Sequence, residues 1–263
     1  MKAIAKTSVF TACVISMGFL VTSCAPTTFE DKVDWGKSAV SSYMDLTDEQ
    51  EPALEEIADT LKTNYPDFKN YRVEFQTILR EELQKEQFNS GRVNQKVGEL
   101  KAKVLSSGTE IISEFAQLHA VLDEEQRQTI QEHSMKQRNH RRWGRHHDWD
   151  DEDRPRWSHQ DFDLQPNQAV VLKKLVSSIA GDSVDVMMAK AKLKKVVHAQ
   201  LASDNFNAQA VKSEFEATVK VVFDSAEKHV PQYAALHALF DARQRGILVS
   251  KIDFWIQRSQ EKD

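Results

Sequence analysis

Leu46-Thr47-Asp48-Glu49-Gln50 and Leu122-Asp123-Glu124-Glu125-Gln126 return 118 residues later as Leu164-Gln165-Pro166-Asn167-Gln168 and Phe240-Asp241-Ala242-Arg243-Gln244. A shared offset at both ends means that one unit was copied whole, and the repeat governs every other reading. Residues 46–130 align with 164–248 without a gap, and 17 of the 85 pairs are identical. The identities cluster: Leu118-His119-Ala120 matches Leu236-His237-Ala238, Gln126-Arg127 matches Gln244-Arg245, and Phe88-Asn89 matches Phe206-Asn207. Apolar character also persists where the residue changes, as at Ile57/Leu175, Phe75/Leu193 and Leu105/Phe223.

Each pentad reads locally as a helix start. Thr47 can cap an N-terminus while Gln50, three residues on, reaches back to its amide, which is a capping box. Asp123 with Gln126 and Asp241 with Gln244 repeat the arrangement, and Pro166 fits a first turn, where its missing N–H is harmless. Leu46, Leu122, Leu164 and Phe240 are expected to bury just before each helix. The pattern predicts helices over about 48–64, 67–87, 92–120 and 124–137, and over 166–180, 184–203, 208–238 and 242–258. A shorter helix is expected near 31–44. Phe88-Asn89 and 204–207 read as turns with Asn capping the next helix.

The third helix of each copy carries an apolar seam. Val93, Val97, Leu100, Val104, Ile111, Phe115, Leu118 and Leu122 step by four and three, with one gap at Ser107. Val211, Phe215, Val222, Tyr233, Leu236 and Phe240 answer in the second copy, interrupted by Thr218, Ser225 and His229. That period marks helices crossing at a shallow angle. Ser107-Gly108 and Ser225-Ala226 are small at one register and predict the closest approach there, or simply an accommodated core serine.

Composition agrees with long helices: eight glycines and six prolines in 263 residues, with 29% charged. No strand-like alternation persists, so the fold class expected is all-α. Lys2, Lys6 and an apolar Thr7–Val21 run form a signal too short for ~20 residues of bilayer. Val21-Thr22-Ser23-Cys24 resembles a bacterial lipobox, with Cys24 acylated; an ordinary cut near Ala25 is the alternative. Residues 1–23 carry two lysines, so the formal charge of −5 becomes −7 without them, which argues against a nucleic-acid partner. Cys13 lies in the leader and a lipidated Cys24 has no thiol, so neither a disulfide nor cysteine catalysis is expected.

Between the copies, about 134–163, apolar periodicity stops and a flexible tether is expected. His140, His146, His147 and His159 with Asp148 and Asp150 are weak candidate ligands for zinc, copper or nickel. Trp143, Trp149 and Trp157 offer a grip on client chains or lipid headgroups, and a solvated tether with no specific partner is the third reading. His119 and His237 sit at equivalent places beside leucines. They read as buried helix residues or, less simply, as a pair meeting at a twofold axis.

Capped Leu-Thr-x-x-Gln pentads bracketing long helices, with Phe-Asn before the longest, resemble the Spy/CpxP family of the LTxxQ-motif class, to which the ZraP group is related. Only the first pentad has the full Leu-Thr-x-x-Gln form, and a tandem lipoprotein departs from the usual free, single-unit member. The resemblance implies an ATP-independent periplasmic chaperone whose antiparallel dimer holds unfolded or misfolded envelope proteins on a concave face. The lipobox resemblance, with Ala25 after Cys24 where inner-membrane lipoproteins often carry Asp, implies the periplasmic side of the outer membrane as the address, with the membrane reached through the lipid anchor only.

An isologous dimer uses one patch twice, so two fused copies can complete it within one chain. The organisation expected is a signal peptide (1–23), an N-terminal tether and short helix (24–45), a first helical unit (46–133), the linker (134–163) and a second unit (164–258). The two units would form a monomeric pseudo-dimer cradle. No catalytic triad or phosphate loop is present, so no enzyme and no required cofactor are expected. A metal-binding or stress-sensing lipoprotein using the linker, and an adaptor lipoprotein, are the alternative functions.

Overall fold

The computed structural model describes residues 28–130 and 162–260. Cys24, the candidate ligands between His140 and His159, and most of the expected linker lie outside the described residues. Within them, regular structure is helical throughout: α1 (Phe29–Met44), α2 (Glu51–Gln84), α3 (Ser90–Val121), α4 (described over 124–130), α5 (Pro166–Leu201), α6 (Ala208–Leu239) and α7 (Ala242–Gln260). No described helix is long and apolar enough to cross a membrane.

Local chemistry sets most of the ends. Thr28 Oγ1 accepts the Asp31 N–H at 3.1 Å, and Glu30 and Asp31 place negative charge against the positive end of α1. Asp45 closes α1 in the left-handed region at φ 51°, with its N–H on the Ser41 carbonyl. Among the described residues, the non-glycine residues at positive φ are Asp45 and Asp163, which the repeat offset superposes. Asp tolerates this region because its short side chain bonds locally. The turns before α3 and α6 form as expected: Asn89 Oδ1 accepts from Arg92 N at 3.1 Å, and Asn207 Oδ1 from Ala210 N at 3.0 Å.

Two expected breaks are absent. The sequence pattern predicts separate helices over 48–64 and 67–87, on either side of Pro66, and over 166–180 and 184–203, on either side of Gly181-Asp182-Ser183. The chain instead runs through both as α2, with Pro66 inside it, and α5. A proline in a helix interior costs ~3 kcal/mol or more and a glycine ~1 kcal/mol. Both are offset by apolar contacts that continue on either side, with Leu54 and Ile57 before Pro66 and Phe75 after it. Leu175 and Ile179 precede Gly181, and Leu193 and Val197 follow it. Tertiary packing overrides the local signal.

The helices of each copy form hairpins, α2 on α3 and α5 on α6, with α1 laid against α2. Contacts also run between the copies: α3 packs on α6, and α7 crosses to pack on α2. α3 and α6 are antiparallel. Lys101 Nζ lies 3.2 Å from Asp224 Oδ1, Gly108 faces Phe215, and the Phe115 and Phe206 rings stand 5.4 Å apart. The main apolar cluster joins Leu54, Ile57, Phe115 and Leu118 of the first copy to Val197, Leu201 and Val211 of the second. Val97 packs with Val219 and Phe223 in a smaller one. Burial is thus shared across the repeat.

Candidate functional site

The pentad glutamines do more than cap. Gln50 Oε1 accepts the Thr47 N–H at 3.0 Å as expected, while its Nε2 donates to the Val121 carbonyl at 2.7 Å and to Gln126 Oε1 at 2.9 Å. Gln126 returns the bond to Gln50 Oε1 at 2.9 Å and closes a full capping box with Asp123, at 3.0 and 2.8 Å. The second copy repeats this: Gln168 Nε2 donates to the Leu239 carbonyl at 2.6 Å and to Gln244 Oε1 at 2.9 Å. Gln244 donates back at 3.0 Å, and also to the Phe162 carbonyl at 2.8 Å. All four amides are buried. Two reciprocal amide pairs therefore clasp the start of α2 to the start of α4, and the start of α5 to the start of α7.

One half of one expected box is replaced. The start of α2 is held by the Thr47 carbonyl, which accepts from Gln50 N at 2.9 Å and Glu51 N at 3.1 Å. The tight turn this makes moves the first helical residue to Glu51. Of the leading apolar residues, Leu122 and Phe240 are buried and Leu46 and Leu164 pack at the edges of the clusters. Sequence reasoning treats the glutamines as local caps and misses the pairing. The available signal is that the two pentads of each copy stand at the same mutual spacing.

The turns between hairpin helices are bridged alike in both copies. Glu82 Oε2 accepts the Asn89 N–H at 2.9 Å, and its counterpart Gln200 accepts the Asn207 N–H at 2.8 Å. Glu82 is fully buried and also meets Lys85 at 2.5 Å and Arg92 at 3.1 Å. Burial alone would raise its pKa, but Lys85, the Asn89 amide and Arg92 outweigh it and hold the carboxyl below its ordinary value.

His119 and His237 are each buried against a phenylalanine of the other copy. His119 stands 5.4 Å from Phe206, and His237 stands 5.6 Å from Phe88. The antiparallel register puts them at opposite ends of the α3–α6 pair, roughly 50 Å apart at 1.5 Å per residue, so the structure does not bring them together at an axis. Burial lowers the pKa of both. His237 Nε2 lies 3.3 Å from the Leu83 carbonyl. The Leu83 carbonyl opposes the lowering at His237, as the Leu201 carbonyl does at His119, whose Nε2 makes no hydrogen bond of ordinary geometry.

The small register behaves differently in the two copies. A Cβ on Gly108 would sit 2.2 Å from the Phe215 ring, so α3 meets α6 through an absent side chain. The equivalent Ala226 is exposed. Buried Ser107 donates to Asn64 Oδ1 at 2.7 Å. At the matching place Ser225 reaches Asp182 Oδ2 at 3.5 Å, and that carboxylate also meets Lys228 at 2.7 Å and His229 Nε2 at 3.0 Å. The Lys228 bond, first among the causes, holds Asp182 below its ordinary pKa. Ser, His and Asp are present here, yet both other groups face the carboxylate and no base lies on the hydroxyl. This cluster therefore does not activate a nucleophile. No grouping of three or more His, Cys, Asp or Glu fit to hold a metal occurs among the described residues.

These features define a class: an all-α protein of long antiparallel helices, clasped at their ends by paired motif glutamines. The model of the LTXXQ motif family protein matches residues 32–134. That stretch, from α1 through the first clasp, is similar to the LTXXQ motif family, in agreement with the Spy/CpxP resemblance of its pentads. No curated protein and no solved structure matches the chain.

Proposed function

We propose that the protein is an ATP-independent chaperone of the periplasm, held to the envelope by a lipid on Cys24. In this reading it binds unfolded or misfolded envelope proteins on a concave helical surface. The observation that carries the reading is the family match over 32–134, because the Spy/CpxP group of that class has this activity. The contacts of α3 with α6 and of α7 with α2 support a second part, that the two copies act as a pseudo-dimer within one chain. A holdase of this kind needs no nucleotide, cofactor or catalytic group, only adaptable apolar contacts among charges. The negative charge of the chain disfavours nucleic acid as a partner.

The test is light scattering from an aggregating model client with the lipid-free chain and no nucleotide. Suppression at about one chain per client is expected, and undiminished aggregation over a tenfold excess would overturn the reading. Mass by light scattering on the same sample is expected to equal one chain, and a tight dimer would overturn the pseudo-dimer part.

A further inference from the structure

The clasp ends of the two copies are seated differently. The first, with Leu54, Ile57, Leu118 and Leu122, belongs to the main cluster and packs with Val197, Leu201 and Val211 of the second copy. The second forms a cluster of its own: Leu175, Leu236 and Phe240 are buried against Leu164, Ile179 and Leu248, all from the second copy. It meets the first copy through His237, against Phe88 and the Leu83 carbonyl, and through α7 on α2.

Helices α5 and α6 enter that end at one level, and both are weakened there. Gly181 lies in α5 and Pro231 in α6, and the pairing of Asp182 with Lys228 sets the two side by side. A Cβ on Gly181 would meet nothing within 4 Å, so no close approach requires a glycine. Glycine adds backbone freedom to a helix, and Pro231 lacks the N–H that would bond the Glu227 carbonyl. The first copy also carries helix-weakening residues, Pro66 and Gly108, but that stretch lies inside the shared packing. There Ser107 donates to Asn64, and the Phe215 ring of the second copy closes over Gly108.

The same level carries a link found in one copy only. Asp182 Oδ1 accepts from Lys228 Nζ at 2.7 Å, and its Oδ2 lies 3.0 Å from Nε2 of the buried His229 and 3.5 Å from Ser225 Oγ. At the repeat offset stand Asn64, Glu110, Ile111 and Ser107, so an amide–hydroxyl contact beside an isoleucine has become a charged network. A largely buried carboxylate separated from its partners leaves uncompensated charge, so the link is either made or broken, with little between.

We propose that the second clasp end is a hinged tip: α5 before Gly181 and α6 after Pro231 turn about those two residues, and the contact of Asp182 with Lys228 and His229 is the latch. Helix α7, rooted in the clasp, shifts along α2 with it. Local opening draws on the parts of a fold that share least with the main core, and this end has its own cluster. Val170, Val176, Tyr233 and Leu239 stand exposed on the tip, so its angle sets where that apolar surface points. The device stands apart from the chaperone reading, and its test uses no client.

The test is amide hydrogen exchange of the lipid-free Cys24→Ser chain, read by mass spectrometry and corrected for intrinsic rates. Segments 176–182 and 227–233 are expected to exchange about tenfold faster than their counterparts 58–64 and 109–115. Gly181→Ala is expected to slow both tip segments several-fold, although 227–233 lies on another helix. Asp182→Ala is expected to speed both while 58–64 and 109–115 keep their rates. Lys228→Gln, which removes the latch from an exposed position, should do the same more weakly and serves where Asp182→Ala does not fold by circular dichroism. Equal rates in the two copies overturn the proposal. Slowing of 176–182 alone by Gly181→Ala also overturns it, since helix propensity then accounts for the whole effect. Latch variants that speed every segment alike overturn it too, because the link would then stabilise the whole chain and hold no tip.

Discussion

The two ends of the duplicated unit and its middle have had different histories. The clasps Gln50–Gln126 and Gln168–Gln244 keep the same atoms in the same bonds across the offset. The middle of the α3–α6 seam does not: Gly108 under Phe215 in one place corresponds to Ala226 and Val97 in the other. A buried amide pair is all or nothing, because leaving one partner unmatched costs the full desolvation of the other. An apolar seam trades volume between facing residues and tolerates divergence when the total is kept. Chemistry with discrete partners therefore stayed alike, and chemistry measured in volume drifted.

The clasps supply the largest expected effect. Gln126→Ala leaves Gln50 Nε2 and Oε1 each short of a buried partner and removes the Asp123 box. About 3 kcal/mol or more of unfolding free energy is expected to be lost, read by urea denaturation. Gln244→Ala is expected to match it within about 1 kcal/mol, and a large disparity would break the equivalence. A double-mutant cycle sharpens the point. Gln50 with Gln126 should couple by about 1–3 kcal/mol, whereas Gln50 with Gln168 should add to within about 0.5 kcal/mol.

The seam predicts the opposite, an asymmetric outcome. Gly108→Ala gains up to ~1 kcal/mol of helix propensity but forces the Phe215 ring aside, and overpacking costs typically ~1–3 kcal/mol. A net loss of about 1–2 kcal/mol is expected. Ala226→Leu, at an exposed position, is expected to change stability by no more than about 0.5 kcal/mol. Adding Phe215→Val to Gly108→Ala removes the ring that the new methyl meets and should recover part of the loss. Equal losses at 108 and 226 would show that the close approach is not where the structure places it.

Much of this is legible in the sequence, and the failures share a cause. The duplication, the helix starts at Gln50, Gln126, Gln168 and Gln244 and the asparagine-capped turns are readable because each rests on contacts within four residues. The continuity of α2 through Pro66 and of α5 through Gly181 is not, because distant apolar partners outweigh a local penalty. The glutamine pairing escapes for the same reason: a donor that satisfies a local amide looks complete, and nothing nearby shows that its Nε2 reaches a residue 76 positions away. The openness of the α5 face is hidden because exposure at Val176 depends on whether another helix lies there, not on the residue.

A smaller effect comes from the bridged turns. Glu82→Gln keeps the bond to the Asn89 amide, as Gln200 does for Asn207, but gives up Lys85 and Arg92. A loss of about 1–2 kcal/mol near neutral pH is expected. The charged form is favoured in the folded state, so this contribution is present above the unfolded carboxyl pKa and disappears as pH falls through the lower folded value. The gap between wild type and Glu82→Gln should therefore close toward acid, as measured by parallel denaturation series. A gap that persists below that range would mean that shape, not charge, makes Glu82 differ from Gln200.

The two histidines give the smallest effect and the most symmetric one. Burial lowers both pKa values, so the folded state holds His119 and His237 neutral while the unfolded chain takes up protons near the ordinary value of about 6.5. Where the unfolded state binds more protons, stability rises with pH. Each ring therefore contributes stability above about pH 6.5 that is lost as pH falls from there toward its folded pKa. Burial of Glu114 raises its pKa and acts in the opposite sense, so the histidine contribution must be read as a difference between variants. His119→Gln and His237→Gln should each flatten the fall in urea midpoint between about pH 7.5 and 5.5, by similar amounts and additively, since each ring sits against its own phenylalanine. A variant that flattens the profile alone, with the other inert, would show that the two Phe–His contacts are not equivalent and that the ends of the repeat have diverged as its middle did.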